Sequence, residues 1–126
     1  MKTFRPNPMR SKDKNSYQVG LIAEWRARWY LRLHGFRIVA SRYTTGRYTG
    51  RAEIDIIARR KNLIVFIEVK SRPRLDLAWG AISTRQSARL RAAAETYLTR
   101  IGWRGDARFD VIAVCGRHIH WVQGAL

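Results

Sequence analysis

The sequence predicts a mixed α/β domain, a central sheet with helices packed against it, in the order α-β-β-β-α-β-β. Three observations carry this. Apolar residues recur at helical spacing over 16–34 and again over 84–101. Three runs, 52–59, 63–70 and 108–114, are nearly continuous in Ile, Val, Ala and Phe, the pattern of strands covered on both faces. Turn chemistry separates the runs. A chain of 126 residues makes one domain. At 46% hydrophobic, with 5 Trp, 5 Tyr and 4 Phe, it can bury a real core.

Residues 1–15 hold two of the three prolines and no periodicity, and are expected to be a flexible basic arm; 16–126 form the folded domain. The first helix is expected from Ser16, as cap, to His34, with Val19, Ile22, Ala23, Ala27, Tyr30 and Leu31 recurring at helical spacing and Gly35 ending it. Trp25, Trp29 and Leu33 form a second apolar line, so this helix is covered on two sides or faces a partner. Strands follow at 36–43, 52–59 and 63–70. The first pair is separated by the glycine-bearing turn 44–50, the second by a short basic turn from Arg60 to Asn62. The second helix runs from Thr84 to Ile101, with Leu90, Ala94, Tyr97, Leu98 and Ile101 expected as its buried stripe, Ser83 and Gln86 as a capping box and Gly102 at its end. Strand 108–114 then turns at Gly116-Arg117 into a last strand, 118–122.

There are 25 Lys plus Arg against 9 Asp plus Glu, a net charge of +16 and a pI of about 11.4. Such a balance points to a polyanionic partner: nucleic acid first, an anionic membrane surface second. Cys115 is the one cysteine, which excludes an internal disulfide and a thiolate zinc cluster and suits a reducing cytoplasm. Cys115 reads as a small core residue. No secretory signal and no membrane-spanning run is present.

Against this basic background, Glu53, Asp55 and Glu68 fall among Ile, Val and Phe. In a strand, residues i and i+2 share a face, so Glu68 and Lys70 project together, as do Glu53 and Asp55. If 52–59 pairs with 63–70 as a hairpin, Asp55 comes near Glu68 and Lys70 at one end of the sheet. Two readings stand. One is a structural ion pair. The other is a site for Mg²⁺ or Mn²⁺, since Mg²⁺ uses one or two carboxylates plus substrate phosphate, and the Val69 backbone carbonyl offers a third oxygen. Lys70 would then position or deprotonate the attacking water or neutralise the phosphate, giving phosphodiester hydrolysis.

An Asp followed about a dozen residues later by Glu-x-Lys resembles the core of the PD-(D/E)XK nuclease superfamily, and the element order is similar to its restriction-endonuclease-like fold. With "GLIAEWRARWYLRLHGF" (20–36), "AEIDIIA" (52–58), "LIVFIEVKSR" (63–72) and "RFDVIAV" (108–114), the chain resembles the YraN-like family of small bacterial proteins, which is similar to archaeal Holliday junction resolvases. The resemblance covers about residues 16–122. It implies Asp55 and Glu68 as metal ligands, Lys70 as the catalytic lysine and Glu24 on the first helix as a fourth site residue, which could otherwise pair with Arg28. It implies a Mg²⁺- or Mn²⁺-dependent endonuclease acting on DNA, ahead of RNA, on branched or repair intermediates, and it admits a homodimer. The alternative is a non-catalytic nucleic-acid-binding protein with a degenerate site. Two departures are visible: Ala52 stands where the family usually has Gly, and Arg59, Arg60 and Lys61 make a turn basic that often carries an acid.

Phosphate contacts are expected from Arg72 and Arg74 just past the motif, from Arg85 and Arg89 one turn apart on the second helix, and from Arg42, Arg47 and Arg51 around the glycine-bearing loop. Gln86 either contacts the site or serves the capping box. Trp79 reads as core, His118 and His120 as a surface strand face, and Asp110 as a partner of Arg108 or of a helix Arg.

Overall fold

A computed structural model describes residues 8–45, 52–72 and 84–125. Its elements are α1 (Pro8–Leu33), β1 (Arg37–Thr44), β2 (Glu53–Arg60), β3 (Leu63–Ser71), α2 (Thr84–Ile101), β4 (Asp106–Cys115) and β5 (His118–Gln123). The predicted order is observed. The five strands form one sheet in sequence order, β1-β2-β3-β4-β5. Only β3 and β4, joined through α2, run parallel; the other neighbours are antiparallel.

Alternation along β3 shows how the layers assemble. Val65 and Ile67 pack with Ala23, Ala27 and Leu31 of α1, whereas Ile64 and Phe66 pack with Leu90, Ala93, Ala94 and Tyr97 of α2. Among the described residues one helix therefore covers each face of the sheet, which is why the central strands are apolar on both sides. The small residues Ala23 and Ala27 let α1 lie close to the strands.

Helix ends were well marked by glycine. At the end of α1, the Phe36 N–H reaches the Leu31 carbonyl and the Gly35 N–H that of Arg32, both at 3.0 Å, with Gly35 at φ 84°. This is a Schellman arrangement, and Phe36 and Leu31 share a core cluster. Trp103 and Gly102 close α2 the same way on Leu98 and Thr99, and Ile101, expected in the buried stripe, is exposed in this last turn.

The start of α1 differs from expectation. The helix begins at Pro8, so Ser16 lies inside it and is not its cap. Proline suits a first helical turn, where its missing N–H is not needed. The predicted Ser83 cap and Trp79 lie outside the described residues. Strand bounds shift by one or two residues, β4 starting at Asp106.

Asp110 is fully buried and fully paired. Arg108 grips both its carboxylate oxygens at 2.8 and 2.9 Å, and the Trp121 indole N–H and the Gly124 N–H donate to them at 2.8 and 3.0 Å. Of the two partners expected for it, the structure has Arg108. The cluster pins the end of β5 to β4.

Candidate metal centre

The site is built where the sheet divides. β2 and β3 pair from Arg60↔Leu63 back to Ile56↔Ile67, and their register stops there. Beyond that point β2 stays with β1 as far as Thr44↔Glu53, and β3 stays with β4 as far as Ser71↔Val114. One step past the last pair, Asp55 stands opposite Glu68. The Asp55 carboxylate enters the gap and its Oδ2 accepts a hydrogen bond from the Val69 N–H at 2.8 Å. A side chain thus occupies a place that strand backbone would otherwise fill. In a strand, the N–H and C=O of one residue point the same way, so the Val69 carbonyl turns toward the same gap.

A local irregularity accompanies the fork. Ile54 packs with Ile57 on the α2 side, whereas Ile56 packs on the α1 side, so alternation slips around Asp55. On β1, Ser41 pairs with Ile56 and Tyr43 with Ile54, which leaves Arg42 opposite Asp55. Arg42 has φ 52°, a left-handed conformation costing a non-glycine residue roughly 1–2 kcal/mol. Its guanidinium donates to Glu24 of α1 at 3.0 Å and lies 5.7 Å from the Tyr17 ring.

Lys70 Nζ lies 3.4 Å from Glu68 Oε1, with both side chains nearly buried. Glu68 Oε2 is buried and, among the described residues, no backbone or cationic group donates to it, so the one proton within its reach is the one the neighbouring Asp55 carboxyl shares with Glu68. A buried carboxylate oxygen without such a donor is costly, since it loses water and gains little in return. Burial, then the charge of Glu68, push the Asp55 carboxyl from its ordinary 3.8 up to about 8, against the pull of the Val69 N–H; Glu24 adds to the rise. Burial likewise raises Glu68, opposed by the Lys70 ammonium.

The structure therefore brings Asp55, Glu68, Lys70 and Val69 together. Glu24 is close enough for its charge to reach Asp55 but is bonded to Arg42, not to Arg28. Glu53 is exposed at the start of β2. Among the described residues, no group of three or more His, Cys, Asp or Glu converges on a metal-sized space. The donor set is two carboxylates with a carbonyl, all oxygen, which fits Mg²⁺ or Mn²⁺ with water and phosphate completing the shell, and does not fit zinc. The Glu68 oxygen that lacks a backbone or cationic donor among the described residues fits the same role.

Beside Lys70 opens a cavity of about 390 Å³, lined by Ser16, Val19 and Gly20 of α1 and by Val69 to Arg72 at the end of β3. Through Val19, Ser71 and Arg72 it adjoins a second one of about 380 Å³ that reaches Val114 and Gly116. Arg72 is exposed there, its N–H bonded to the Val114 carbonyl. Arg26 crosses from α1 to the Gly116 and Arg117 carbonyls.

The other expected contacts are more scattered. Arg89 is exposed on α2 and Gln86 is half-buried in its first turn. Arg47, Arg51 and Arg74 lie outside the described residues, as does the side chain of Arg85. The basic turn is not brought to the site. It sits at the far end of β2, where Arg60 donates to the His34 carbonyl at 3.0 Å and Arg59 lies over Trp103. Arg60 thus caps the C-terminal end of α1. Ala52 is buried beside Ile54 and exchanges hydrogen bonds with Thr45 in both directions, so its methyl is accommodated. His118 and His120 lie on β5 with rings 6.2 Å apart. Sequence reasoning missed Arg42 as the partner of Glu24. No local signal marks it, because only the strand register sets it opposite Asp55.

The model of the uncharacterised protein family UPF0102 matches residues 23–114. A UPF0102 protein of Sinorhizobium medicae is 43% identical over 116 residues, covering 90% of this chain and 89% of the relative. One from Rhodopseudomonas palustris is 42% identical over 106 residues, covering 82% and 80%. One from Agrobacterium fabrum is 41% identical over 114 residues, covering 86% and 88%.

Proposed function

The chain belongs to the uncharacterised protein family UPF0102, and from that premise we propose that it is a Mg²⁺- or Mn²⁺-dependent nuclease of restriction-endonuclease-like fold that hydrolyses phosphodiester bonds in DNA. The observation that carries the reading is the pair of buried carboxyls, Asp55 and Glu68, in the fork of the sheet, where among the described residues Glu68 Oε2 has no backbone or cationic donor. A sequence retains such a costly group more readily when a ligand completes it.

In this reading Asp55, Glu68 and the Val69 carbonyl hold the cation. When bound, the cation offsets charge on the phosphate and makes water more acidic. The Val69 N–H fixes the Asp55 carboxylate, leaving its second oxygen for the cation. Lys70 has three N–H donors; Glu68 engages its ammonium and Lys70 lines the cavity, where a remaining donor can reach a phosphate oxygen or hold the nucleophilic water. Glu24 orients water or a second cation once Arg42 turns to a phosphate. Arg72 supports the strand that leaves the site.

Purified protein with Mn²⁺ is expected to cut flap, junction or single-stranded DNA. Asp55→Ala and Lys70→Ala should each lower cutting by on the order of 100-fold or more and leave DNA binding in place. Binding without cutting on every substrate would favour a second reading, a nucleic-acid-binding protein with a degenerate site. The engagement of Glu24 by Arg42, which leaves two convergent carboxylates, is the observation on its side.

A further inference from the structure

The outer face of α1 is apolar and, among the described residues, uncovered. Ala23, Ala27 and Leu31 mark the buried side of the helix. At 3.6 residues per turn, Ile22, Trp25, Trp29 and Leu33 fall on the opposite side. They are exposed at 58%, 55%, 48% and 81%. Two tryptophans one turn apart, both half in solvent, form a contiguous apolar patch of the kind that marks an interaction surface.

Charge selects the partner. Arg28 and Arg32 border the stripe on one side, and the Arg32 guanidinium lies 5.0 Å from the centre of the Trp29 ring. The nearest acid on the described part of α1, Glu24, is turned to the inner flank and bonded to Arg42. A second copy of a chain of charge +16 would bring like charge to this border. Unpaired nucleotides answer both features, since bases stack on indole rings and phosphates meet the arginines. The stripe is also continuous with the site. Ile22 lines the groove that contains Ser71 and Arg72, and this groove opens beside Lys70.

We propose that this face of α1 binds an unpaired DNA strand, with bases stacked on Trp25 and Trp29 and the backbone passing by Arg32 toward Arg72 and Lys70. The choice of DNA and the path to Lys70 rest on the nuclease reading; the stacking itself does not require cutting.

The test is the affinity of the full chain for a short oligothymidylate and for a blunt duplex, by fluorescence anisotropy in EDTA. Replacing both tryptophans by Ala should weaken oligothymidylate binding by about 10- to 100-fold, with a much smaller change for the duplex. The double Leu variant should be equally weak and the double Phe variant close to wild type, because stacking needs a ring and not merely apolar surface. Both positions are exposed, so thermal melting should show all three variants folded; if the Ala pair does not fold, the Leu and Phe pairs carry the comparison.

Unchanged oligothymidylate binding in the Leu pair overturns the proposal. So does equal loss on duplex and single strand, tighter binding of oligouridylate, or a wild-type dimer that the Leu pair converts to monomer without loss of affinity. Wild-type binding with no cutting in Mn²⁺ overturns the nuclease reading and leaves the stacking face intact.

Discussion

Burial, then the charge of Glu68, push the Asp55 carboxyl up to about 8. The folded state thus binds this proton more tightly than the unfolded chain does. Its contribution to stability is fully present below the ordinary value of 3.8 and is lost as pH rises through about 8. Asp55→Asn keeps an oxygen for the Val69 N–H and removes the charge. Without metal, the variant should melt a few °C above wild type at pH 8, the shift that about 1 kcal/mol gives a domain of this size, and show little difference near pH 4. Wild type alone should gain stability from added Mn²⁺ at pH 8. Equal melting of both proteins at pH 8 would remove the case for a strained carboxylate pair. The Asp55, Glu68 and Lys70 trio was legible from spacing, because the two-residue period of strands fixes which side chains share a face. Arg42 was not, since its place depends on a left-handed residue on a neighbouring strand.

Among the elements, the end of β5 is pinned to β4 by one buried carboxylate. Asp110→Ala leaves Arg108 unpaired and removes acceptors from the Trp121 and Gly124 N–H groups. Breaking such a buried pair costs about 3 kcal/mol or more, so a clear drop in the urea midpoint is expected. Hydrogen exchange at Gly124 should quicken, while Mn²⁺ affinity stays as in wild type. A fall in metal affinity without a stability loss would contradict the structural role. Helix ends and hairpin turns were readable because Gly35, Gly102 and Gly116 each take a positive φ within a few residues of local context. The start of α1 was not. Its first turns are polar, and without apolar periodicity a helix leaves no trace in the pattern of burial.

At the scale of the whole molecule, the charge of +16 sets the dominant long-range field. Binding to DNA should weaken steeply with salt, by at least tenfold between 50 and 200 mM if several phosphates are contacted, a slope measurable by titration in KCl. A flat dependence would mean that the excess charge serves something other than a polyanion. Among the described residues no helix is long and apolar enough to cross a membrane.

By itself the sequence determined the order of elements, the two-sided burial of the central strands, the basic surface and the three polar residues at the strand ends. These follow from period and composition, which are local quantities. Tertiary structure alone decided that the sheet forks after Ile56 and Ile67, that Asp55 reaches the Val69 N–H there, and that Glu24 is tied to Arg42. It also decided that the Trp25 and Trp29 line faces outward. Each of these depends on which backbone groups find partners across the sheet, and on which helix face the sheet has room to cover. A residue's neighbours in sequence cannot set either.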